Sequence, residues 1–167
     1  SMETTEVSER NEPLKIGGWL ILIAIGVIIA PVRLFYFVGV SYPSIFTDGT
    51  WEALTTYGSE IYSPLWGPII IGEIVGNLLF AFLGLYLAYL FFTKRSVFPK
   101  WYLGLTITSM AFLLIDAYLV SIVAPEIEMF NSDTTLEVVR SLFSLCVWSP
   151  YLLFSQRSKG TFTKALT

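Results

Sequence analysis

Four long apolar stretches decide most of what this chain can become: about Gly17 to Val40, Pro68 to Thr93, Trp101 to Ala124 and Leu136 to Phe154. A helix needs about 20 apolar residues to cross the hydrocarbon core of a bilayer, and each stretch is close to that length or longer. Inside lipid every backbone N–H and C=O must be satisfied within the protein, so such segments become helices rather than loops or open strands. Composition agrees. The chain is 54% hydrophobic and only 14% charged, against about 25% charged in a soluble domain, and its mean hydropathy is +0.68. The expected fold is all-α: a polytopic membrane protein with four transmembrane helices in an up-down-up-down bundle.

The charges are sorted along the chain. Of the 10 Lys and Arg, eight lie before the first stretch, between the second and third, or after the fourth. The loops Ser41 to Gly67 and Pro125 to Thr135 carry Asp48, Glu52, Glu60, Glu126, Glu128 and Asp133 and no basic residue. The positive-inside rule then predicts both termini on the cytoplasmic side. Trp19, Trp101 and Tyr102 fit an inner aromatic belt, and Trp51, Tyr62 and Trp66 an outer one. Residues 1–13 read as a disordered cytoplasmic tail, with Ser1 before Met2 as a tag-cleavage remnant. Residues 14–158 form the membrane domain, and 159–167 a second cytoplasmic tail. In the first loop, Trp51, Leu54, Tyr57, Ile61 and Leu65 recur at three- to four-residue spacing behind a Thr50 N-cap, which predicts a short interfacial helix.

One charged residue lies deep in each apolar stretch: Arg33, Glu73, Asp116 and Arg140. Counted from the nearest basic residue on the cytoplasmic side, their depths are similar. Lys15 to Arg33 is 18 positions, Glu73 to Lys94 is 21, Lys100 to Asp116 is 16 and Arg140 to Arg157 is 17. At the helical rise these are roughly 24 to 31 Å, so the four share one layer in the outer half of the membrane. Ionisable groups in a bilayer are costly, face the bundle interior and pair. Arg33 with Glu73 and Asp116 with Arg140 are the simplest pairs in an up-down bundle, with Arg33 to Asp116 as the other choice. Asn77 follows Glu73 by one turn, on a face opened by Gly72 and Gly76. Tyr36 can add a hydrogen bond. Pro31 cannot donate to the carbonyl of Val27 and Pro150 cannot donate to that of Cys146, so each should kink or weaken its helix, with Trp148 beside the second.

Several classes are excluded or disfavoured. Histidine is absent, which removes the commonest general base and metal ligand. No nucleophile elbow, zinc-protease helix, paired-cysteine motif or phosphate-binding loop is present. Neither a catalytic set nor a metal site nor a cofactor is expected, and no basic extramembrane surface exists for nucleic acid. The basic residues at the inner face read as topology signals. The single Cys146 reads as a small apolar packing residue.

The ends of the chain carry a resemblance. Gly17-Gly18-Trp19-Leu20 opens the first span, and Pro31-x-Arg33 follows within it. A membrane Glu precedes Gly76-Asn77. The fourth span closes on Trp148-Ser-Pro-Tyr151, then Ser155-x-Arg157-x-Lys159-x-Thr161-Phe162. This resembles the bacterial inner-membrane family known as domain of unknown function 2569. The resemblance implies a bacterial cytoplasmic membrane and four spans, and brings no activity. Its Arg157 and Lys159 would grip lipid headgroups or dock a partner.

Two functions fit these features. The first is a non-catalytic binding or transport-type module for a small charged or zwitterionic solute, using Arg33, Glu73, Asn77, Asp116 and Arg140 with Tyr36, Pro31, Trp148 and Pro150 in support. Four spans are few to enclose a pathway, so a homodimer would complete it. The second is a membrane assembly or accessory protein that binds another membrane protein and uses the charges as a structural lock. The lipid bilayer is the partner common to both.

Overall fold

The structure is a computed structural model and describes residues 12–166. The expected tail up to residue 11 lies outside the described residues. Among these the fold is entirely helical, apart from one isolated parallel bridge between Arg95 and Lys164. Four helices are long and apolar enough to cross a membrane: Leu20–Thr47, Trp66–Phe92, Phe98–Val123 and Ser132–Phe154.

Helix α1 spans Leu20–Ser41 and runs unbroken through Pro31, whose ring is buried. A Cβ on Gly84 would sit 3.3 Å from that ring, so the absence of a side chain at 84 lets α1 and α4 approach closely. A turn at Tyr42 leads into α2, Pro43–Thr47, with proline at a first-turn position where its missing N–H costs nothing. Helix α3, Thr50–Thr55, is the expected loop helix, but it stops at Thr56, before Tyr57, Ile61 and Leu65. Gly49 precedes it at φ 87°, a left-handed geometry that glycine adopts without strain. The Asp48 carboxylate accepts hydrogen bonds from the Thr50 hydroxyl and N–H, which hold its pKa below the ordinary carboxylate value. Trp51 and Thr55 rest against Gly67 at the start of α4, so the loop folds over that end.

Helix α4 covers Trp66–Phe92 and α5 covers Phe98–Val123. The fourth span starts at Ser132, four residues earlier than expected. It comprises α6 (Ser132–Phe143), a π-helical turn (Ser144–Trp148) and α7 (Ser149–Phe154). Asn131 caps α6 by accepting from the Thr134 N–H, and Asp133 complements the dipole of the first turn. The π turn is the response to Pro150. The Ser149 N–H reaches back to the Ser144 carbonyl, and the spacing widens by one residue where the proline cannot donate. Cys146 lies on the exposed side of this turn, facing outward rather than into the packing.

The densest packing is at the basic end. Leu20, Ile23 and Val27 of α1, Leu87, Leu90 and Phe91 of α4, Phe98 of α5 and Leu152 of α7 are buried there with Phe162. Of residues 159–166, expected as a tail, Phe162 belongs to this core and Thr161 is buried, while Lys159 and residues 163–166 are exposed. Helix α8, Gln156–Thr161, folds back with Ser158 and Thr161 fully buried. Phe162 sits 5.4 Å from the Phe91 ring and 4.8 Å from that of Phe98. The chain beyond it is tied to the α4–α5 turn by Thr163 and Lys164 N–H bonds to the Lys94 carbonyl and by a Ser96 N–H bond to the Lys164 carbonyl.

The two end motifs meet. The Arg157 guanidinium donates to the Lys15 carbonyl at 2.7 Å, and a Cβ on Gly17 would lie 2.5 Å from that same guanidinium. The Leu14 N–H donates to the Gly160 carbonyl. Arg157 is therefore committed to the chain's own N-terminal segment. Gly17 makes room for it, and Gly18 turns the backbone at φ 59°.

Candidate functional site

The charged residues of the spans gather toward the acidic end, but not in the expected pairs. Arg33 meets neither Glu73 nor Asp116. Its guanidinium bonds both carboxylate oxygens of Glu137, at 3.1 and 3.2 Å. Arg140 binds the same Glu137 at 2.7 Å from one turn further along α6. One carboxylate thus serves two arginines and joins the first span to the fourth. These side chains are half exposed to the surroundings: 50% for each arginine and 38% for Glu137. Glu137 carries little sequence signal, because it stands at the edge of the fourth apolar stretch. The early start of α6 places it inside the span.

Glu73 and Asp116 consequently face each other rather than arginines. Both are half-buried. Glu73 projects from the second turn of α4 and Asp116 from the far part of α5, and both face the same cavity. The Tyr42 hydroxyl donates to Glu73 at 2.9 Å. Tyr42 is buried where α1 gives way to α2, and Phe37 packs edge-on against its ring at 5.8 Å. Among the described residues no basic side chain forms an ion pair with Glu73 or Asp116.

The two carboxyls line a cavity of about 210 Å³. Leu113, Ala117 and Val120 of α5 form its apolar wall. Ile127, Glu128, Met129 and Asn131 of the α5–α6 loop close over it, and Thr134 of α6 completes it. Thr134 and Glu137 are three positions apart on α6, hence on one face. The Arg33–Glu137–Arg140 group therefore begins one helical turn from the cavity. Two arginines and one carboxylate give that group a formal charge of +1. The cavity side carries Glu73, Asp116 and Glu128.

The other expected residues separate into neighbours of this site and members of the core. Asn77 is adjacent: its amide donates to the Glu73 carbonyl at 2.7 Å, capping the turn below the carboxyl. Tyr36 is 71% exposed, points away and makes no hydrogen bond among the described residues. Tyr42, six residues later, takes the role expected of it. A tyrosine near the end of a span reads as a membrane-belt residue, so its sequence signal was ambiguous. Pro31 packs between helices rather than presenting a free carbonyl to the charges. Trp148 belongs to the basic end, 6.5 Å from Trp19 and 6.0 Å from Phe143, and Pro150 is exposed two residues beyond it. Of the Gly72–Gly76 pair, only Gly76 is packed. A Cβ there would come within 2.3 Å of Phe112, whereas Gly72 faces open space. Among the described residues no three His, Cys, Asp or Glu side chains are grouped to hold a metal ion.

A four-span helical architecture with ionisable side chains inside the spans defines a multi-pass membrane protein. Its family follows from a match along most of the sequence. The family model described as "Protein of unknown function (DUF2569)" matches residues 13–163, and the chain belongs to that family. The match takes in both end motifs and all four spans. No curated protein and no solved structure matches the chain.

Proposed function

We propose that this protein is a non-catalytic binding or transport-type module of the bacterial cytoplasmic membrane, with both termini cytoplasmic. Its acidic-end cavity would receive a small solute bearing an ammonium or comparable cationic group. The observation that carries the reading is the pair Glu73 and Asp116. Two carboxyl groups from neighbouring helices share one cavity and have no basic partner, although two arginines lie in the same layer. If the carboxyls served only to hold helices together, pairing them with those arginines would satisfy all four groups. The arginines are instead engaged by Glu137, which leaves both carboxyls without a cationic partner among the described residues, and a cationic ligand would supply one.

The volume suits a small amine; larger organic ligands occupy roughly 300 Å³ or more. A zwitterion would place its ammonium between Glu73 and Asp116 and its anionic end toward the Arg33–Glu137–Arg140 group. Purified protein would be melted with a panel of small amines, zwitterions and anions. The expected result is stabilisation by one or more cationic or zwitterionic solutes, lost in Asp116→Asn and Glu73→Gln, with both variants melting near wild type in the absence of solute. Stabilisation by anions alone, or an undiminished response in both variants, would overturn the reading.

The second reading, an assembly or accessory protein, has its own support in the bridge from Arg33 through Glu137 to Arg140, which ties the first span to the fourth. Loss of fold in Asp116→Asn together with indifference of the wild type to every solute would favour it.

A further inference from the structure

At the basic end a separate groove of about 350 Å³ opens between α4 and α5 on the outer surface of the bundle. Lys100 and Trp101 stand at its mouth, Gly104 and Thr108 run along α5, and Phe80 and Leu83 of α4 form the opposite wall. Lys100 to Thr108 is eight residues, about 12 Å along the helix axis from the mouth into the apolar layer. Gly104 is exposed, and a Cβ placed on it would meet nothing within 4 Å, so the missing side chain is what leaves the groove open. Thr108 turns its hydroxyl back onto the Gly104 carbonyl at 2.7 Å, which leaves no unsatisfied hydroxyl on the wall. One turn further, Phe112 packs on Phe80 with ring centroids 5.5 Å apart. Trp101 is held edge-on against Tyr86 at 5.2 Å. Lys100 is exposed and forms no ion pair among the described residues.

We propose that this groove seats one anionic phospholipid of the leaflet at the basic end, with its phosphate on Lys100 and one acyl chain along Gly104. Charge complementarity selects the occupant. An ammonium group at the membrane–water boundary stands above an apolar slot that descends into the hydrocarbon. Only a ligand with an anionic head and a hydrocarbon tail satisfies both ends. A lysine near a lipid surface contributes enough attraction for about a fivefold preference for an anionic over a zwitterionic headgroup.

The test is native mass spectrometry of the full chain released from detergent with equimolar phosphatidylglycerol and phosphatidylcholine of identical chains. The first lipid adduct of the wild type should be phosphatidylglycerol by about fivefold. Lys100→Gln should bring the ratio close to one, since this exposed side chain has no structural partner to lose. Gly104→Leu should remove the first adduct of both lipids while the melting temperature stays near wild type. Equal adducts on the wild type, or an unchanged ratio in Lys100→Gln, would overturn the proposal whatever the leucine variant does. So would displacement of the lipid by inorganic phosphate, or a dimer that dissociates in Gly104→Leu, which would make the groove a seat for a second copy.

Discussion

Replacing Glu137 with Gln tests how the charged layer is wired. The substitution preserves shape and removes the charge that both Arg33 and Arg140 bind, at 3.1 and 2.7 Å. The three side chains are a third to a half exposed, so each ion pair is partly screened and contributes at most about 1 kcal/mol. The substitution also leaves two arginines without a counter-charge inside a span. Near the membrane boundary, where a long side chain reaches water, that adds up to about 1 kcal/mol for each. The expected loss is about 1 to 3 kcal/mol. It should be larger in lipid nanodiscs than in detergent, because the low-dielectric surroundings raise the cost of the orphaned arginines. In detergent it should shrink as salt is added. Thermal melting of Glu137→Gln, Arg33→Gln and the double variant supplies a cycle. Since the two share one contact, the double variant should be less destabilised than the sum of the singles, by about 0.5 to 1 kcal/mol. Additive singles, or a larger loss from Asp116→Asn than from Glu137→Gln, would refute the wiring and return the arginines to the partners first expected of them.

The packing of Phe162 and of Gly76 carries further predictions. Phe162→Ala removes a buried ring lodged against Phe91 and Phe98 and should cost about 3 to 5 kcal/mol, read as a lowered melting temperature; a shift of under 1 kcal/mol would mean that the C-terminal segment is not part of the core. Gly76→Ala forces a methyl into Phe112 and should destabilise by about 1 to 2 kcal/mol after the gain in helix propensity is subtracted. Gly72→Ala, on the open side, should be neutral or stabilising, and equal effects at the two positions would remove the assigned helix contact.

The heights of the charges were legible in the sequence, but their directions were not. Spacing from a basic anchor gives depth along a helix, and Arg33 and Arg140 do come close enough to share Glu137. It says nothing of the angle around each helix, and that angle decides that Arg33 reaches Glu137 while Glu73 turns to Tyr42. Glu137 escaped notice because the hydropathy of the fourth stretch begins at its edge. The Asn131 cap, a local hydrogen-bonding signal, marks the true start of the helix and brings Glu137 into the span. The four spans and the short Thr50 helix followed from apolar length and loop chemistry. The C-terminal residues did not, because Ser, Lys and Thr read as a solvated tail when the apolar partner of Phe162 lies more than sixty residues away. The Gly72–Gly76 pair read as one helix contact, and only the half that meets Phe112 is one.

The return of the C-terminal segment to the basic end has a consequence for biosynthesis. A ribosome delivers the four spans to the bilayer in order, and each can adopt helical structure as it arrives. The cluster around Phe91 and Phe98 still waits for Phe162, which emerges after the last span. A stop codon a few residues beyond Phe154 would therefore spare every membrane segment and yet strand Leu14, Gly17 and the α4–α5 turn without the residues that bind them. Such a product would reach the membrane with its aromatic cluster uncovered.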